Sequence, residues 1–335
     1  MKIAVVGCGA VGSFYGAKLA RAGQEVHFLL RSDYEVVRRK GVFVQSQQGD
    51  FRVQPKCARL PEEIGQADLV VIGLKTTAND QLSRLLPPLV DARTAVLTLQ
   101  NGLGNEECLA ALFPSKQIMG GLCFVCLNRL EPGVIHHLGY GQIILGEFER
   151  WPEPRTHDVA SLFRNAGVPC KVADNLERTH WEKLVWNIPF NGLGVAAAAG
   201  YEEVCSGQVA SPPQARNTLS TDMLLSDPRW EKLVRDVMLE VIAAARPLGF
   251  DIAESMVETQ IERTKTMGTY KASTLIDFER GLPLELESLF LLPLRRGQAA
   301  GASLPRLESL CRVLEGLDSG AKQKGRDTSV GRATL

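Results

Sequence analysis

MKIAVVGCGAVGSFYG, residues 1–16, decides the fold. Residues 3–6 are a short apolar run rich in β-branched side chains, the pattern of a buried strand. Gly7, Gly9 and Gly12 follow at G-x-G-x-x-G spacing, and a helix-like segment containing Phe14 and Leu19 comes next. Strand, tight turn and helix in that order predict a dinucleotide site rather than a merely structural glycine-rich turn. Gly7 permits the sharp turn. Gly9 lets backbone approach a pyrophosphate with no Cβ in the way, and Gly12 lets the helix pack close to the strand. The helix N-terminus then offers free N–H groups and a positive dipole end to the phosphates.

The second strand, EVHFLL at 25–30, ends at Leu30-Arg31-Ser32, with Asp33 beyond the strand end. An NAD enzyme usually places an acid at the end of this strand for the ribose 2′-OH, whereas an arginine there suits the 2′-phosphate of NADP. Arg31 therefore points to NADP, unless it is an ordinary loop arginine. Residues 42–60 alternate around Gln48-Gly49-Asp50 and predict a small hairpin. ADLVVIGL at 67–74 and AVLTL at 95–99 are continuous apolar strands of the kind buried in a parallel sheet. They run into Lys75 and into Gln100-Asn101-Gly102, and ligands bind at such carboxyl ends. Residues 118–147 predict further strands with turns at 131–133 and 139–141, 158–166 a helix, and 168–172 a closing strand.

The 335 residues suit about two domains. Hydrophobic residues at 45% and charged residues at 23% are ordinary for a globular protein. A net charge of zero argues against a nucleic-acid or anionic-membrane partner. No apolar run approaches the ~20 residues of a membrane span. The few apolar residues before Gly7 are too short for a signal peptide, so the expectation is cytoplasmic. The eight cysteines then read as scattered free thiols. Cys123 and Cys126 form a C-x-x-C in an apolar run with no second pair, so buried thiols are expected there and no metal.

Beyond about Asp174 the periodicity becomes helical, as in WEKLVRDVMLEVIAAA at 230–245. The expected organisation is a Rossmann-type dinucleotide-binding domain at 1–174, an all-α domain at 175–319 and a disordered tail at 320–335. Residues 207–222 read as a loop. The overall class is α/β followed by all-α. In ERTHWEKLVWNIPFNGLG at 177–194, Lys183, Asn187 and Asn191 fall at i, i+4, i+8 on one helix face. Either that face is solvated, or the polar groups await a ligand. Pro189 inside the pattern would kink the helix or end it. A second polar cluster holds Tyr270, Lys271, Ser273 and Asp277, and Glu285 sits in an otherwise apolar run, LPLELESLFLLPL, as half-exposed surface or as an inward-facing site group.

Four blocks in order, GCGAVGSFYG, LKT…LQNGLGN, HWEKLVWNIPFNGL and KASTLIDFERGLPLELESL, resemble ketopantoate reductases (2-dehydropantoate 2-reductases) over about residues 1–310. The resemblance implies the plan of 6-phosphogluconate-dehydrogenase-like enzymes, with NADPH as cofactor and a small 2-keto acid as substrate. It implies that Gly7, Cys8, Gly9, Ala10, Val11 and Gly12 hold the pyrophosphate, that Arg31 meets the 2′-phosphate and that Lys75 lies close to the cofactor. Asn101 would stand where nicotinamide meets substrate. Lys183 would donate the proton, Asn187, Asn191 and Ser273 would bind substrate, and Glu285 would act beside Lys183. A positioned ammonium suits this chemistry, because negative charge builds on the carbonyl oxygen as C2 is reduced.

The chain departs from the family at two places. Phe290-Leu291 replace an Asn-Gly pair, and Tyr201 stands where the family can carry another asparagine. A reductase of another 2-keto acid, or a β-hydroxyacid or imine-type reductase of the same plan, is the alternative. A non-enzymatic NADPH sensor would bind cofactor without turnover. The apolar helices of the second domain leave a homodimer open.

Overall fold

The computed structural model describes residues 1–208 and 217–330, with side chains through residue 319. Contacts divide the chain into two compact units, Met1–Thr179 and His180–Leu335.

The first unit contains the strands β1 (Lys2–Val6), β2 (Glu25–Leu29), β3 (Val42–Ser46), β4 (Phe51–Val53), β5 (Lys56–Ala58), β6 (Leu69–Ile72), β7 (Ala95–Thr98), β8 (Ile118–Glu131), β9 (Val134–Glu147) and β10 (Cys170–Val172). Among them run the helices α1 (Ala10–Arg21), α2 (Tyr34–Lys40), α3 (Pro61–Ile64), α4 (Leu82–Leu85), α5 (Asn105–Ala110) and α6 (Pro154–Asn165). The strands form one sheet in the order β4-β3-β9-β8-β7-β6-β1-β2-β5, with β10 beside β9. From β5 through β8 neighbouring strands are parallel. Ile3, Ala4, Val5 and Val6 in β1 are 0% exposed, as are the four residues of β6, which is why both read as unbroken apolar runs. The chain leaves β1 for β2 on one side and later returns as β6 on the other. That reversal opens a crevice at the carboxyl ends of β1 and β6, where the glycine turn and Lys75 lie.

Two local expectations change. Residues 139–141 do not turn; they form an irregularity within β9, opposite a register shift between Phe124 and Val125. Tyr140 has φ 61° there, and Gly141 φ 121°. The Tyr15 hydroxyl donates to Gly141 O at 3.4 Å and His137 Nε2 to Tyr140 O at 3.1 Å, so the distortion is held from inside. The helix expected at 158–166 starts earlier, at Pro154, because Glu153 and Thr156 form a reciprocal cap.

The helices of the remaining chain are α7 (Leu176–Ala196), α8 (Tyr201–Ser206), α9 (Thr221–Ser226), α10 (Pro228–Ala245), α11 (Ser255–Lys265), α12 (Ser273–Glu279), α13 (Leu292–Ala299) and α14 (Pro305–Val330). A π-helical turn at Glu287–Leu291 precedes α13. Among the described residues every strand lies in the first unit, so an α/β Rossmann-type unit is followed by an all-α one. No helix among the described residues is long and apolar enough to cross a membrane. Part of the expected 207–222 loop, residues 209–216, lies outside the described residues, and α9 begins within its end. Of the expected disordered tail, the backbone through Val330 continues α14, and 331–335 lie outside the described residues.

The second unit is built around α7. Trp181, Leu184, Val185, Ile188, Phe190, Leu193 and Val195 are all 0–1% exposed. A helix apolar around most of its circumference must be packed on all sides. Trp186 Nε1 donates to Thr264 Oγ1 in α11 at 2.8 Å. Pro189 removes one backbone donor, yet α7 runs through it to Ala196, because surrounding side chains hold the helix where one hydrogen bond is missing. A Cβ on Gly192 would lie 2.8 Å from Phe290 Cε1 and 2.8 Å from Leu310 Cδ2. Gly192→Ala therefore overpacks this contact, and the expected loss is about 1–3 kcal/mol, read from the urea midpoint at unchanged m-value.

Candidate functional site

In the first unit the glycine turn is fixed by backbone packed on backbone. A Cβ on Gly7 would lie 2.3 Å from Leu74 N, and one on Gly12 would lie 2.2 Å from Gly7 O. Gly73, which the sequence reading did not single out, completes the contact: a Cβ there would be 2.9 Å from Gly12 Cα. Its signal was present as a glycine directly after an apolar strand. Gly9 differs, because a Cβ on it meets nothing within 4 Å. It faces open space at the start of α1, a helix with no side-chain cap and no acidic residue in its first turn. Open space above an uncapped helix N-terminus fits a pyrophosphate. Among the expected contacts Cys8 can offer only backbone. Its Sγ lies 3.6 Å from Leu29 O and 3.6 Å from Val5 O, so the thiol points inward. Burial above all, then Cys57 and Asp33, pushes that thiol well up from its ordinary range.

Arg31 is exposed at the end of β2 and has no ion-pair partner among the described residues. Leu30 N donates to Ala58 O at 2.9 Å, which pins the strand end just before it. Lys75 is exposed at the start of a 3-10 turn, Thr76–Gln81. Asn101 is half-buried and lies in a loop held by a chain of amides. Gln100 Nε2 donates to Asn79 Oδ1 at 2.7 Å, Asn79 Nδ2 to Asn105 Oδ1 at 3.2 Å, and Asn105 Nδ2 to Asn101 O at 3.1 Å. The chain ties the Lys75 turn to the Asn101 loop. It was invisible in the sequence because amide hydrogen bonds carry no spacing rule.

In the second unit the polar stripe of α7 is not a solvated face. Asn187 and Asn191 are 7% and 3% exposed, and Lys183 is half-buried. Asn191 works as a bracket. Its Nδ2 donates to Asn187 O at 3.0 Å, and its Oδ1 accepts Thr274 N–H at 3.0 Å and the Ser273 hydroxyl at 3.3 Å. It thereby fixes the start of α12 and brings Ser273, itself exposed, to the stripe. The Asn187 side-chain amide has no hydrogen-bond partner among the described residues. Its polar atoms are not among the fully buried unpartnered ones of the described residues, so they keep access to solvent and are open to a ligand. Glu285 is 7% exposed and its carbonyl accepts Leu289 N–H at 3.3 Å, so it opens the helical run and is not half-exposed surface.

Of the two departures, Phe290 is 0% exposed and packs toward Gly192, so that change falls in the core. Tyr201 borders a cavity of about 350 Å³ with Ala197, Asn217, Arg229 and Trp230, and none of Lys183, Asn187, Ser273 and Glu285 lines it. None of the eight cysteines, Cys123 and Cys126 included, is joined in a disulfide.

Residues 3–150 match the family described as Ketopantoate reductase PanE/ApbA, and residues 208–318 match Ketopantoate reductase PanE/ApbA C terminal. A 2-dehydropantoate 2-reductase of Nostoc sp. is 40% identical over 323 residues, 95% of each chain. The crystal structure of 2-dehydropantoate 2-reductase from Geobacter metallireducens GS-15 matches with a TM-score of 0.86 at 47% identity, covering 94% of this chain and 99% of that one. D-mandelate dehydrogenase, solved with NADH and anilino(oxo)acetate, matches with a TM-score of 0.83 at 19% identity over 96% and 99% of the two chains, which shows a shared fold.

The two glycines separate binding from folding. Gly9→Ala is expected to leave stability within about 0.5 kcal/mol. The same change should weaken dinucleotide binding by about tenfold or more, because the methyl enters the space left for phosphate. Gly12→Ala is expected to cost about 1–3 kcal/mol of stability by driving a methyl into Gly7 O. Thermal melts beside cofactor titrations check both.

Proposed function

The chain belongs to the ketopantoate reductase family, and from that premise we propose that it reduces the 2-keto group of 2-dehydropantoate to the hydroxyl of pantoate, with NADPH as reductant. The observation that carries the substrate side is the buried stripe of α7, with its unpartnered Asn187 amide beside the Asn191–Ser273 bracket. Such neutral donors suit a small hydroxylated carboxylate. The uncapped α1 and unpaired Arg31 support a phosphorylated dinucleotide.

Bound NADPH supplies a hydride to C2. The protein's part is to orient the substrate and to manage the charge and the proton. The Lys183 ammonium stabilises the negative charge growing on the carbonyl oxygen, then gives that oxygen its proton, so that C=O becomes CH–OH. Glu285, buried at the head of its helical run, orients Lys183 and the substrate hydroxyl. Asn187 and Ser273 bind substrate, and Asn191 sets the position of Ser273. Asn101 sits at the junction of nicotinamide and substrate, with Lys75 close to the cofactor. We place the enzyme in the cytoplasm, a reducing compartment that suits eight cysteines outside any disulfide.

Purified protein is expected to oxidise NADPH with ketopantoate, and far faster than it oxidises NADH. A panel of 2-keto acids assayed with both cofactors tests this; good turnover of another keto acid beside none of ketopantoate would overturn the substrate. Lys183→Ala is expected to lower turnover by about 10²-fold or more while NADPH still binds. Surviving turnover would remove Lys183 from its role.

A further inference from the structure

The end of β2 carries two opposite charges within three positions. Arg31 is exposed, whereas Asp33 is 7% exposed at the N-cap position of α2. In this fold an acid near the end of the second strand binds a ribose diol, and a cation there accommodates a 2′-phosphate. A bare carboxylate two residues from Arg31 would work against it by repelling the phosphate.

Asp33 is not bare. Arg129, toward the far end of β8, grips it with Nη2 at 2.6 Å from both Oδ1 and Oδ2, and with Nε at 3.1 Å from Oδ2. The Ser32 hydroxyl donates to Oδ1 at 2.9 Å. The Asp33 side chain is 10% exposed and that of Arg129 38%, so the pair is partly withdrawn from water, where such a fork is strongest. The hairpin that carries Arg129 is itself fastened beside α2. Phe43 N donates to Gly133 O at 2.8 Å, and a Cβ on Gly133 would lie 3.0 Å from Gly41 O. Two other arginines near this strand end are already offset: Arg38 and Arg59 lie 3.6 Å and 2.6 Å from the Glu35 carboxylate.

We propose that Arg129 is a positioning residue that sets cofactor specificity: it neutralises and turns away Asp33, the acid that would otherwise take a ribose diol and repel a 2′-phosphate, and so leaves Arg31 as the effective charge. The inference rests on the NADPH reading above.

The test is binding of NADPH and NADH without substrate, by calorimetry, to the wild type, Arg129→Met, Asp33→Asn and the double variant. Arg129→Met is expected to weaken NADPH by about tenfold, about 1.4 kcal/mol, and to leave NADH unweakened. Adding Asp33→Asn is expected to restore NADPH binding, because no acid remains to be silenced. Equal weakening of both cofactors by Arg129→Met would make the pair merely structural and overturn the proposal. The double variant strands no charge, so it folds even where the single variant does not; a lost NADPH preference there also overturns the proposal. A wild type that binds NADH as tightly as NADPH would overturn the NADPH reading itself, and the inference with it. A wild type that prefers NADPH beside an unmoved Arg129→Met would overturn the inference alone.

Discussion

Backbone pressed against backbone at Gly7, Gly12 and Gly73 is the constraint on which the first unit depends. Side chains at these positions would lie 2.2–2.9 Å from main-chain atoms. The contact clamps the end of β1, the start of α1 and the end of β6 into one piece. Because β1 lies between β2 and β6, every strand end that carries a candidate cofactor residue is referred to that piece. Arg31 follows β2, Lys75 follows β6, and Asn101 follows β7, each a few residues beyond a strand that cannot shift without moving the clamp.

The second unit solves a different problem with different means. Its central helix is buried nearly all round, so polar groups on it need partners or access to solvent. Asn191 is satisfied three times over by α7 and α12. Asn187, one turn earlier, makes no side-chain hydrogen bond among the described residues and keeps access to solvent. The same stripe therefore mixes an architectural amide with an open one, and only the hydrogen-bond partners tell them apart.

What was legible in the sequence follows from the range of each interaction. The glycine turn, the apolar strands and the i, i+4, i+8 stripe are local patterns, and they appear where the spacing put them. Glu285 was ambiguous because one carboxylate in an apolar run has the same local pattern whether buried or exposed. The break expected at 139–141 was misread because glycines mark both turns and bulges, and the partner strand chooses between them. Arg129 was not singled out at all. Its partner lies 96 residues away, and no periodicity connects the two. The sequence shows that Phe290 departs from the family but not where its ring lies; buried toward Gly192, it bears on core volume.

The Asn191 bracket bears on how substrate range in this chain can be altered. One side chain holds the head of α12 and the neighbouring turn of α7 together, so libraries that randomise it mostly sample misassembled helices. The Asn187 side chain carries no such duty among the described residues, and Ser273 shares it through one hydroxyl bond of 3.3 Å. On the proposed substrate roles, directed evolution toward bulkier keto acids is better aimed at Asn187 first, with Asn191 left as a fixed hinge pin between α7 and α12.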